Sequence, residues 1–176
     1  MVFHSFTKSL QALPLQSSRE PVTLVESPVE ERNGARSADG HWLAYEAESP
    51  SNPGQLEVYV RPFPDVNRGV WQVSRGGGTF PLWSRSDPEL YYLKTDGTMM
   101  AVPVEATSGS WRAGVATELF RGDYLLRGEG SLGRHYDVAR DGRFRMLKRQ
   151  STGDDRRVPH FVVVQHWDSE LARLVP

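Results

Sequence analysis

The sequence predicts an all-β chain built from repeated four-strand units. Two observations lead there. A motif of a small residue, a turn and a strand occurs three times, and strand-length apolar segments recur in a fixed order between glycine-rich links. A third observation narrows the class further: only residues 168–175 read as a helix.

The repeated motif is Arg36-Ser37-Ala38-Asp39-Gly40-His41-Trp42-Leu43-Ala44-Tyr45. It is echoed by Trp83-Ser84-Arg85-Ser86-Asp87-Pro88-Glu89-Leu90-Tyr91-Tyr92 and by Val138-Ala139-Arg140-Asp141-Gly142-Arg143-Phe144-Arg145-Met146. Each is read as a β-hairpin, because an Asp-Gly pair supplies the positive φ that a tight reversal needs. The middle copy has Ser86-Asp87-Pro88 in place of Asp-Gly, so a different turn is expected there. Ser37 and Ser84 lie 47 residues apart, and Ser84 and Ala139 lie 55 apart. The longer interval implies an inserted loop.

Further strands follow each hairpin. Gln55-Leu56-Glu57-Val58-Tyr59-Val60-Arg61 carries apolar residues at every second position, as a half-buried strand does. Met99 to Val104 and Phe161 to Val164 take the same place in the second and third units. Fourth strands are expected at Val70-Trp71-Gln72-Val73-Ser74 and at Ala116-Thr117-Glu118-Leu119-Phe120. Four strands per unit at this spacing is the pattern of propeller blades, here expected over residues 33–75, 79–121 and 133–167. The links Arg75 to Gly78 and Arg127 to Gly133 are glycine-rich reversals, the second a surface loop. Asp168 is placed to cap the final helix, with Glu170 in its first turn, Leu171, Leu174 and Val175 on one face, and Arg173 and Pro176 closing it.

Composition excludes several classes of function. The 176 residues carry Lys+Arg 21 against Asp+Glu 22, a formal charge of −1, which leaves no basic stripe for nucleic acid and no polybasic patch for a membrane surface. With no cysteine there is no disulfide framework, thiolate metal site or cysteine nucleophile. No apolar run approaches the roughly 18 residues of a membrane span. Met1 to Pro21 has one lysine and no compact apolar core, so a soluble chain without a signal peptide is expected. Residues 1–20 read as a tail in which disorder is allowed.

Ser37-Ala38-Asp39-Gly40-His41-Trp42-Leu43-Ala44-Tyr45 resembles the Ser-Pro-Asp-Gly-x-x-Ile-Ala-Tyr motif of TolB-like, WD-repeat-like propeller blades. The runs Glu57 to Pro64, Trp71 to Ser74, Gly76 to Gly78, Pro81 to Arg85 and Trp167 to Pro176 are similar to the last blades of propellers fused to bacterial eukaryotic-type serine/threonine kinases. The resemblance covers about residues 20–176. It implies part of a six-bladed propeller over residues 21–176: three blades, an orphan strand at 22–26 and the C-terminal helix. A periplasmic setting, as in relatives, stays open. Kinase chemistry does not carry over, because the glycine-rich loop, the His-Arg-Asp loop and Asp-Phe-Gly are missing.

Three blades cannot close a ring, so a homodimer is expected, with residues 22–26 adding the outer strand of the partner's third blade. Protein and carbohydrate are the ligand classes in view; no cofactor and no metal is called for. Asp39 and Asp141 lie in Asp-Gly turns, where the side chain normally bonds its own backbone. His135 and Asp137 stand two apart on an expected inner strand, share a face, and form the best catalytic candidate. His160 and His166 lack further metal ligands, and Gly130-Ser131-Leu132-Gly133 lacks the spacing of a serine-hydrolase elbow. Trp111, Tyr136 and His41 are ligand or interface candidates, Trp111 being the tryptophan expected exposed. Two functions follow: a non-catalytic binding and interaction module, or a hydrolase, most plausibly a glycosidase, in the channel of the assembled ring.

Overall fold

The computed structural model describes residues 2–4, 9–14, 20–25, 29–86, 88–107, 110–126 and 133–147. They form an all-β structure of four antiparallel sheets, none closed on itself. The first holds Val2–His4 (β1), Leu10–Ala12 (β2) and Val22–Val25 (β3) in chain order. The second holds Glu31–Arg36 (β4), Trp42–Ser49 (β5), Asn52–Pro62 (β6) and Trp71–Gln72 (β7), also in chain order, with a short 3-10 turn at Val66–Arg68. The third holds Thr79–Trp83 (β8), Glu89–Leu93 (β9), Thr98–Thr107 (β10), Ser110–Ala113 (β11) and Thr117–Arg121 (β12). The fourth holds Tyr136–Val138 (β13) and Phe144–Met146 (β14).

The sheets stack in chain order, and period-two alternation decides which core each residue enters. On β5, Trp42 and Ala44 face the third sheet and join Val58, Val60, Leu90, Tyr92, Met100, Val102 and Val104. Leu43, Tyr45 and Ala47, one residue out of phase, join Leu10 and Val25 of the first sheet. On β9 and β10 the other phase, Tyr91, Leu93, Met99 and Ala101, packs with Tyr136 and Val138 of the fourth. Each middle sheet is therefore buried on both faces. That is why β5 and β9 read as nearly unbroken apolar runs rather than alternating ones.

Three hairpin turns share one geometry. In Ser37–Gly40, Lys94–Gly97 and Ala139–Gly142, the glycine N–H donates to the carbonyl three residues back at 3.1 Å. The three glycines hold φ of 79°, 83° and 79°. At Gly97 a side chain is excluded twice, because an added Cβ would also stand 2.1 Å from the Gly122 carbonyl. The middle copy of the repeated motif does differ, as its sequence requires. Ser84 N–H donates to Glu89 O at 2.9 Å, and Ser86 N–H donates to the Ser84 hydroxyl.

Several expectations need correction. Residues 22–25 are not an orphan strand: β3 pairs with β2, and β2 with β1, so strand pairing reaches into the expected N-terminal tail. Since β1 and β2 also pack against β4, that sheet precedes the second much as the second precedes the third. The inserted segment of the longer interval includes a strand, β11, which hairpins back on residues 104–107 while β12 pairs with residues 98–101. Trp111 is not exposed. Opposite Ala106 on that hairpin it is only 9% accessible, with ring centroids 5.2 Å from Trp42 and 5.6 Å from Trp83. The strand at Phe161 to Val164 and the helix at 168–175 lie outside the described residues.

The join between sheets runs through Phe80. A bulge in β8 between Thr79 and Leu82 leaves Phe80 at φ 54°, a left-handed conformation rare for a bulky residue. Its N–H, turned away from β9, donates to the fully buried carboxyl of Glu46 on β5 at 2.7 Å. Its carbonyl accepts the buried Tyr136 hydroxyl from β13 at 2.6 Å, and Arg134 donates to Pro81 O at 3.0 Å. Glu46→Ala would strand a buried N–H and is expected to cost about 1–3 kcal/mol, and Tyr136→Phe about 1 kcal/mol. Urea unfolding checks both; an unchanged midpoint in both variants would show that the bulge holds without these bonds.

Candidate functional site

The acidic turns come first. Asp39 Oδ1 accepts the Ser37 hydroxyl at 2.5 Å and the His41 N–H at 3.0 Å, while the Ser37 hydroxyl also takes the Trp42 N–H at 3.0 Å. Burial opposes its ionisation, but these bonds and the His41 side chain outweigh that, so the Asp39 carboxyl sits below the usual carboxylate range. Asp141 accepts the Arg143 N–H at 3.1 Å and an ion pair from the same residue at 2.7 Å. Asp96 accepts the Thr98 N–H at 3.1 Å and pairs with Arg121 at 3.4 Å. Hydrogen bonds to the side chain and N–H of Arg143 and of Thr98 hold both carboxyls low as well. These acids serve the turns that carry them.

Asp137 on β13 faces away from the core that Tyr136 and Val138 enter, while His135 stands just before the strand. Each is engaged. The His135 ring stands edge-on to Phe80, centroids 6.3 Å apart. Asp137 pairs with Arg85 at 3.2 Å, both about half exposed, and accepts the N–H of Val138 at 2.9 Å. An exposed pair of that kind contributes about 0–1 kcal/mol and positions the β8–β9 turn against β13 more than it stabilises.

The remaining candidates do not converge. Trp111 lies in the core between the second and third sheets, Tyr136 in the core between the third and fourth, and His41 is exposed beside Asp39. Burial pushes the Tyr136 phenol far up, in keeping with its role as donor to Phe80 O. His160 and His166 fall outside the described residues. Among the described residues no three His, Cys, Asp or Glu side chains cluster closely enough to hold a metal ion.

Sequence reading missed the buried acids. Alternation along β6 puts Glu57 on the face opposite Val58 and Val60, yet Glu57 is 1% accessible. The Ser74–Gly78 link folds over it: its carboxyl accepts the Gly77 N–H at 2.9 Å, the Ser74 hydroxyl and the Gln55 amide. Ser74 in turn accepts the Val58 N–H at 2.7 Å. The available signal was an acid in mid-strand followed by a glycine-rich link.

Compared with known proteins, the chain matches no family model, and no curated protein matches it significantly.

The depressed Asp39 carboxyl has a measurable consequence. Its contribution is complete above the ordinary aspartate pKa of about 3.9 and is lost as pH falls through the lower folded value. Asp39→Asn should therefore be less stable than the parent near neutrality, with the gap closing in acid. Thermal unfolding across pH checks this; a gap constant with pH removes the turn's dependence on the charge.

Proposed function

We propose that this chain is a non-catalytic binding and interaction module, a run of TolB-like propeller blades that completes its ring with a second copy. The observation that carries the reading is the spending of the acid–base candidates on local structure. Asp39, Asp96 and Asp141 bond their own turns, His135 packs its ring edge-on against Phe80, and Asp137 pairs with Arg85. A general base needs a group aimed at a substrate, and His135 and Asp137, the pair singled out for that role, are not aimed that way in their present bonding.

The propeller reading is supported by the stacking of antiparallel sheets in chain order, each handing an apolar face to the next. An open stack has two ends. Among the described residues, Leu147 beside the fourth sheet is 55% exposed, apolar surface that a second copy would cover. β3 pairs with β2 in its own chain but is the edge strand of its sheet among the described residues, so its other edge can still take the third blade of a second copy. The N-terminal sheet also adds a unit to the three first counted, so a ring made by two copies need not have six.

Native mass spectrometry and light scattering are expected to give twice the 19.8 kDa chain mass. A monodisperse folded monomer would overturn the ring. Chromogenic glycosides, esters and phosphates should show no turnover; turnover abolished by His135→Ala or Asp137→Ala would instead establish the hydrolase.

A further inference from the structure

A slot of about 200 Å³ opens between the second and third sheets beside the 37–41 turn. Ser37, Asp39, Trp42, Trp83, Pro88 and Glu89 line it, with Val104 behind. Trp42 is 2% exposed, yet its indole Nε1 has no hydrogen-bond acceptor among the described residues. The neighbouring Trp83 differs: its Nε1 donates to Ala35 O at 2.9 Å. A buried N–H left unmatched is unusual enough to need a cause.

The rim supplies the opposite lack. Asp39, exposed, uses Oδ1 for its turn, and Glu89, half-buried, accepts the Tyr91 hydroxyl on Oε2 at 3.0 Å; the second oxygen of each accepts no side-chain hydrogen bond among the described residues. The slot is thus walled by the indole that carries the unmatched donor, by two carboxylates that each have an oxygen to spare, and by the apolar surfaces of Trp83, Pro88 and Val104. An anion would be repelled by both carboxylates. An ammonium group would satisfy them but has no lone pair for the indole N–H. A hydroxyl both donates and accepts, and a ring bearing several on an apolar C–H face meets all three demands.

We infer that this slot binds a single neutral polyhydroxylated ring, a hexopyranose, alone or as the end of a glycan. It is smaller than the roughly 300–1,000 Å³ of sites for drug-sized ligands, which fits one ring. The inference rests on the binding-module reading and gives that module its ligand class. Because the slot spans two sheets, an occupant also bridges them.

The test is tryptophan fluorescence and saturation-transfer NMR with D-glucose, D-galactose, D-mannose and N-acetyl-D-glucosamine. n-Butylamine and inorganic phosphate serve as the cation and anion probes. At least one sugar should bind saturably, with Trp42→Phe, Asp39→Asn and Glu89→Gln each weakening it about tenfold or more. Asp96→Asn, in a similar turn outside the slot, should bind as the parent does. Glu89→Gln keeps the test decisive if Trp42→Phe fails to fold. The site is overturned if no sugar saturates, if n-butylamine or phosphate binds instead, or if folded slot variants bind unchanged. Native mass read on the same samples keeps the two ideas apart: a dimer that binds no sugar rejects the slot and leaves the ring standing.

Discussion

The main chain of Phe80 is held from two sides, by Glu46 of the sheet before it and by Tyr136 of the sheet after it. A left-handed conformation at a large side chain costs of order 1–3 kcal/mol, and it persists only where the surroundings impose it. Here they do so by consuming both peptide groups that the bulge releases from the β8–β9 ladder. The same distortion that removes Phe80 from its own sheet ties three sheets together. Asn33 on β4, also next to a register shift, has φ of 53°, so the second sheet carries a similar irregularity in its first strand.

Stacked sheets create a specific electrostatic difficulty. A middle sheet has no solvent face, so any polar side chain on its central strands must be bonded internally. Glu46 and Glu57 meet that demand by accepting backbone N–H groups from elements that would otherwise leave them unpaired: the bulge in β8 and the Ser74–Gly78 link. Each buried acid thus fixes the path of the chain as it leaves one sheet for the next. The tryptophan cluster does the apolar part of that work, with Trp111 placed between Trp42 and Trp83 by a hairpin grown from the end of β10.

Local features were readable from residue order because their causes are local. An Asp two positions before the N–H it accepts, followed by a glycine at positive φ, specifies a turn whatever surrounds it, and Asp39-Gly40 and Asp141-Gly142 behave so. The fate of Glu57 was not readable that way. Its burial depends on a link twenty residues further along the chain folding over it, and alternation records only the strand's own two faces. Trp111 was misplaced for a related reason, since its environment is set by residues of another sheet. The candidate site was visible only as residue types, because what engages His135 and Asp137 are Phe80 and Arg85, some fifty residues away in sequence.

By itself the sequence determined the all-β class, the turns at Asp39-Gly40 and Asp141-Gly142, and the absence of cysteine chemistry and of a basic stripe. Those depend on composition and on interactions spanning a few residues. Tertiary structure decided the order of the stacked sheets, the partnership of β3 with β2, the burial of Glu46, Glu57 and Trp111, and the slot beside Trp42. All of these arise where two sheets meet, and a contact between sheets is fixed by shape and unmatched polar groups rather than by neighbours in the chain.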